Sequence, residues 1–177
     1  MNGQHRSLTT RRTALLVVAT LIAATLGGCV AVGRSGQPAS TSPNDPASDS
    51  RTTAQVTDEL GRLPGVSAAF VSTGPVGLPN QLELTVGLNL DAGYPGDVPA
   101  LLDYTLAMAW SATAEEPTTT ASVAFRGGDS ALDLGPAAAA LGWTEMTGPT
   151  LAVSMDEMVE RYGPWPGPVP EKPAALG

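Results

Sequence analysis

Histidine and cysteine occur once each in this chain, at His5 and Cys29, and lysine once, at Lys172. Residues 30–177 therefore hold neither imidazole nor thiol. That double absence excludes from them Ser-His-Asp and Cys-His nucleophilic catalysis, Cys/His zinc sites, histidine-ligated haem and a disulfide framework. What survives is carboxylate chemistry, a hard-cation site or no chemistry. A long apolar run is also missing: Ala14 to Leu26 falls short of the roughly 20 residues a membrane span needs. Basic residues are few as well, nine against seventeen acidic ones in 177 residues.

The apolar stretch follows a basic segment with Arg6, Arg11 and Arg12 and runs into Leu26-Gly27-Gly28-Cys29. Basic residues, a short apolar region and a small-residue site, in that order, form an export signal rather than a span. The arrangement resembles the signal peptide of bacterial prolipoproteins, with Leu26, Gly27 and Gly28 as the lipobox ahead of Cys29. The resemblance implies cleavage between Gly28 and Cys29 by signal peptidase II, a diacylglycerol on the Cys29 thiol, and residence on the extracytoplasmic face of the cell membrane. Each buried methylene contributes about 0.8 kcal/mol and one chain alone holds only marginally, so a two-chain anchor of palmitate type makes the attachment lasting. Thr10-Arg11-Arg12-Thr13-Ala14-Leu15 also resembles a twin-arginine export signal, although Ala14 stands where that pattern has a large apolar residue. The general secretory route is the alternative. With its single lysine and abundant Ala, Thr, Gly and Pro, the chain is similar to lipoproteins of high-GC Gram-positive bacteria.

Loss of residues 1–28 removes Arg6, Arg11 and Arg12 and no acidic residue, so six basic groups face seventeen acidic ones and the net charge is −11. Such a surface disfavours nucleic acid as a partner, because phosphates require clustered Lys and Arg. It equally disfavours a polybasic grip on anionic lipid, which leaves the bilayer contact to acylated Cys29.

Four segments follow from composition. Residues 1–28 are the signal peptide. Residues 29–50 are the lipidated cysteine and a disordered tether, rich in Ser, Pro, Gly, Asp and Asn and broken by Gln37-Pro38, Ser42-Pro43 and Asp45-Pro46. Residues 51–163 are one α+β domain, large enough for a single core. Residues 164–177 are a Pro-rich tail, expected to be extended and packed only at Trp165.

Within the domain, Thr52-Thr53-Ala54-Gln55 reads as a capping box for a helix carrying Val56, Leu60 and Leu63 on one side and ended by Pro64-Gly65. Val66 to Ser72 is a short strand. Gln81 to Leu90 is the clearest strand, because Leu82, Leu84, Val86, Leu88 and Leu90 alternate with polar or small residues. Asp97 caps a second helix with Pro99 in its first turn and Leu101, Leu102, Thr105, Leu106 and Ala109 toward the core. Thr119 to Phe125 alternates as a strand, and Arg126-Gly127-Gly128-Asp129 turns it into Ala131 to Leu134. A short Ala-rich helix over residues 136–141, a strand over 150–153 and a capped helix from Ser154 to Tyr162 complete the order α-β-β-α-β-β-α-β-α. The expected fold is a small antiparallel sheet with helices on one face. Leu63-Pro64-Gly65-Val66 and the element order over residues 52–126 resemble ferredoxin-like α+β modules, including the soluble domains through which cation-efflux proteins dimerise. The resemblance implies architecture and no function.

Several clusters admit a functional reading beside a structural one. Asp129 and Asp133, after a Gly-rich turn, are weak candidates for a hard cation, as is the Glu157 region, but the two aspartates lack the ligand spacing of an EF-hand and read first as turn residues. Asp156, Glu157 and Glu160 form an acidic group that the start of a helix favours in any case. Glu115 and Glu116 are adjacent in a loop, a poor basis for the carboxylate separation of a glycosidase. Trp110, Trp143, Tyr94, Tyr104, Tyr162 and Trp165 are either sugar platforms or core and clasp residues. The function expected is therefore that of a membrane-anchored, non-enzymatic envelope lipoprotein. It would need no cofactor or metal; its ligand is left open, and an open strand edge would accept a partner strand from an envelope protein or from a second copy. The competing expectations are a carboxylate-dependent envelope hydrolase or cation-binding protein, and an accessory subunit of a membrane transport or secretion complex.

Overall fold

The computed structural model describes residues 51–112 and 114–177. Their order is α1 (Thr53–Leu60), β1 (Val66–Pro75), β2 (Leu82–Leu90), α2 (Val98–Trp110), β3 (Thr120–Gly127), β4 (Ser130–Ala131), α3 (Gly135–Ala140), β5 (Met146–Thr147), β6 (Thr150–Ser154) and α4 (Met155–Tyr162). The fold is α+β, and the helices begin where side-chain chemistry satisfies their free N–H groups. Thr52 Oγ1 accepts from Gln55 N–H at 3.2 Å while Gln55 Oε1 accepts from Thr52 N–H at 2.8 Å. Ser154 and Glu157 repeat this reciprocal pair at α4, and Asp97 Oδ1 accepts from Ala100 N–H at 3.0 Å at α2.

The sheet runs β1-β2-β3-β6-β5, with β4 beside the far end of β3. It departs from an all-antiparallel sheet at one pairing: β2 and β3 are parallel, with Leu84 opposite Ala121 and Leu90 opposite Gly127. The cause is α2, which carries the chain back across the sheet before β3 begins; parallel neighbours need such a crossover. The remaining pairings are antiparallel. The strand expected over 131–134 contracts to two residues, and β5, which alternation over so short a stretch cannot reveal, is added to the expected order.

Alternation settles which face is covered. Leu84, Val86, Leu88 and Leu90 of β2, Ala121, Val123 and Phe125 of β3, and Leu151 and Val153 of β6 are buried together with Val56, Leu60, Leu101, Leu102 and Met158 of the helices. The opposite face, including Phe70, Thr85, Asn89, Ser122 and Ala152, stays at least partly open to solvent. Helix α2 is buried more widely than an amphipathic stripe requires, because Tyr104, Met108 and Trp110 join the expected core positions. It contacts α1, α3, α4 and the C-terminal turn at Ala174–Leu176.

The tail is more firmly held than its proline content predicts. Trp165 meets Trp110 edge to face at 4.9 Å between ring centroids, Gly167 N–H donates to the Trp110 carbonyl at 3.0 Å, and Leu176 is buried in the core. Packing at Trp165 alone is thus corrected to packing at both ends, and residues 164–177 complete the domain over residues 51–163 rather than trail from it. Among the described residues, no helix is long and apolar enough to cross a membrane.

Candidate functional site

Strand β1 forms one edge of the sheet, paired with β2 on its inner side and with no described strand on its outer side. Its sequence, Val-Ser-Ala-Ala-Phe-Val-Ser-Thr-Gly-Pro, carries no charge. Edge strands are ordinarily protected by lysine, proline, bulges or inward charges. Here protection exists only at the ends, where the register shifts between Val66 and Ala68 and where Pro75 closes the strand. Between them, Ala69 and Val71 point to the core side, opposite Leu88 and Val86. Phe70, opposite Gly87, points to the open side and is 53% exposed in mid-strand. Backbone groups of alternate residues along this stretch face outward, ready to pair with an added strand.

A second arrangement joins α2, α3 and α4. Arg161 Nε donates to Asp103 Oδ1 at 2.7 Å, and its Nη1 donates to the Leu141 carbonyl at 3.2 Å. The guanidinium lies 4.8 Å from the centre of the Trp143 ring, within cation–π range. Tyr162 O–H donates to the same Asp103 Oδ1 at 2.7 Å. An open groove of about 370 Å³ beside these groups is lined by Leu141, Gly142, Trp143, Glu157, Glu160 and Arg161. Two of its charged groups are engaged in structure: Glu157 serves the α4 cap, and Arg161 serves Asp103 and Leu141. The cluster therefore reads as a clasp fixing α4 to α2.

Burial, followed by the hydrogen bond to the Asp103 carboxylate, raises the Tyr162 phenol well above its ordinary value. A raised folded-state value means that stability is intact below the unfolded phenol's value of about 10 and declines as pH rises beyond it. Tyr162→Phe should cost about 1.5 to 3 kcal/mol at neutral pH, as for a hydrogen bond to a charged group, and should flatten the alkaline decline. Urea melts of both proteins between pH 8 and 11 check this. An unchanged alkaline slope would remove Tyr162 from the account.

The candidates read from sequence separate clearly. Cys29 and the lipobox residues Leu26, Gly27 and Gly28 lie outside the described residues. Asp133 Oδ1 accepts from Gly135 N–H at 2.9 Å where α3 begins, and the Asp129 carbonyl accepts from Arg126 Nη2 at 2.9 Å across the β3–β4 turn. Both take part in turn structure, and among the described residues no group of three or more His, Cys, Asp or Glu is placed to hold a metal ion. Glu115 and Glu116 are exposed between α2 and β3. Trp110, Trp143 and Tyr104 are buried, so they offer no flat platform to a sugar. Sequence reading missed the Asp103 clasp, whose members lie 58 residues apart, and no local signal announces it.

Comparison with protein-family models, with curated proteins and with solved structures found no match.

Proposed function

We propose that the protein is a lipoprotein of the bacterial cell envelope, held to the membrane by acylated Cys29 and working by binding rather than catalysis. The observation that carries this reading is Leu26-Gly27-Gly28-Cys29 at the end of a basic-then-apolar leader. Three further features support it. Residues 30–177 lack histidine and cysteine, the usual nucleophile-activating and metal-ligating side chains. The acidic excess disfavours nucleic acid and anionic lipid as partners. The uncharged β1 edge offers backbone hydrogen bonds to an added strand, with Phe70 as an apolar contact beside them.

In a bacterial host that processes prolipoproteins, the parent should incorporate labelled palmitate and sediment with membranes. Cys29→Ala should incorporate none and shift to the soluble fraction, because the acyl chains supply the bilayer affinity. Equal sedimentation of the two proteins would defeat the anchored reading.

A further inference from the structure

We propose that β1 is a self-association edge: two copies of this chain pair their β1 strands antiparallel about a two-fold axis through Phe70, joining two sheets into one. The proposal rests on the anchored reading above, which places copies in one membrane plane, and it names the occupant of the edge.

Length selects the strand. The opposite end of the sheet is β5, only Met146–Thr147 and preceded by Glu145, too short to template a pairing. Strand β1 spans ten residues, and Ala68 to Gly74 lies between the bulge and Pro75.

Charge selects the occupant. The described residues hold five basic and fifteen acidic groups, so most approaches of one copy to another meet like charge. The β1 strand carries neither sign and is a neutral line along which copies can meet. An edge reading a basic segment would instead present carboxylates of its own.

Symmetry then fixes the register. In a two-fold pairing about an axis normal to the sheet, opposed residues must lie on the same face. With Phe70 at the axis, Phe70 meets Phe70 and Ala68 meets Ser72 on the open face, while Ala69 meets Val71 on the core side. The exposed aromatic finds an aromatic partner, a favourable cross-strand pair, and closed two-fold dimers are the commonest form of assembly. A strand edge alone buries less than the roughly 1,200 Å² typical of stable interfaces. The contact is therefore weak in dilute solution and strengthened by the high effective concentration of tethered copies.

The test uses the full chain in membranes of a lipidating host, with differently tagged copies of Ala68→Cys and Ser72→Cys expressed together and exposed to a mild oxidant. Cys29 is acylated, so the introduced thiols report alone. The Ala68–Ser72 mixed disulfide should exceed, by about tenfold or more, any dimer formed by Thr85→Cys, which sits on the open face of β2 inside the sheet. Adding Phe70→Lys to both copies should abolish it, because like charges then oppose each other at the axis; an unchanged melting temperature would show that the fold is intact. Absence of the mixed disulfide, or equal cross-linking through Thr85→Cys, overturns the proposal. Membrane sedimentation of the same samples is scored separately. Sedimenting protein that does not cross-link removes the pairing and leaves the anchor, whereas soluble protein whose Cys29→Ala version, with no thiol at position 29, still forms the mixed disulfide keeps the pairing and removes the anchor.

Discussion

Trp110→Ala should cost about 3 to 5 kcal/mol, the range for removing a large buried aromatic, and should release the C-terminal tail. Trp110 is 1% exposed at the end of α2; its side chain holds the chain at Gly163 and Trp165, and its backbone, which the substitution leaves in place, adds a contact to Gly167. Its Nε1–H donates to the Gly163 carbonyl at 2.9 Å, its own carbonyl accepts from Gly167 N–H at 3.0 Å, and its ring receives Trp165 edge to face. The fit leaves no slack, since a Cβ at Gly167 would lie 2.5 Å from Trp110 Cδ1. Truncation removes the packing and leaves the Gly163 carbonyl without its donor, a second penalty where that group stays dry. Against a typical domain stability of about 5 to 15 kcal/mol the loss is large. Urea unfolding measures it, and hydrogen exchange at the Gly167 amide reports the tail. Trp165→Ala, at a half-buried position, should cost clearly less. A Trp110→Ala loss under about 1 kcal/mol, below the range for buried aromatics, would mean that the tail is not anchored there.

Gly65→Ala should be the second severe change, for two reasons that can be separated. Gly65 has φ +76°, a left-handed conformation costing a residue with a Cβ about 1 to 2 kcal/mol. In addition, a Cβ there would lie 2.8 Å from Tyr94 Cδ2. The ring also lies against Gly96, where an added Cβ would overlap its hydroxyl end, so it occupies a place that two glycines leave open. Overpacking of this kind adds about 1 to 3 kcal/mol. In a Tyr94→Ala background only the backbone cost should remain, giving a coupling of about 1 kcal/mol or more in a double-mutant cycle. Additive losses would show that Tyr94 does not confine Gly65. Since Gly65 immediately precedes β1 and its carbonyl accepts from Asp91 N–H at 2.9 Å, the same junction sets how the edge strand enters the sheet.

These two positions show where sequence reading reached and where it stopped. The helix stop expected at Pro64-Gly65 falls earlier, since α1 ends at Leu60 with Gly61 as its C-cap and Leu63 lies in the turn beyond it; the ring closing on Gly65 comes from position 94 and leaves no local mark. Trp165 was legible as a contact; that it meets Trp110 and that Leu176 is also buried required α2 to be in place. The clasp of Asp103, Arg161 and Tyr162 was hidden for the same reason.

What the sequence determined by itself is whatever depends on near neighbours. The caps at Thr52, Asp97 and Ser154 follow from side chains reaching N–H groups three residues on. The covered face follows from the alternation through Leu84, Val86, Leu88 and Leu90, since successive strand residues must point to opposite sides. The exclusion of histidine and cysteine chemistry from residues 30–177 follows from composition alone. Tertiary structure decided the parallel β2–β3 pairing, the burial of α2 on nearly all sides and the place of β1 at the edge of the sheet among the described residues. A strand's sequence encodes its two faces, but its hydrogen bonds run sideways through backbone groups that every residue shares. Which neighbour accepts them, and which strand is left with an open edge, is settled only when the whole chain has packed.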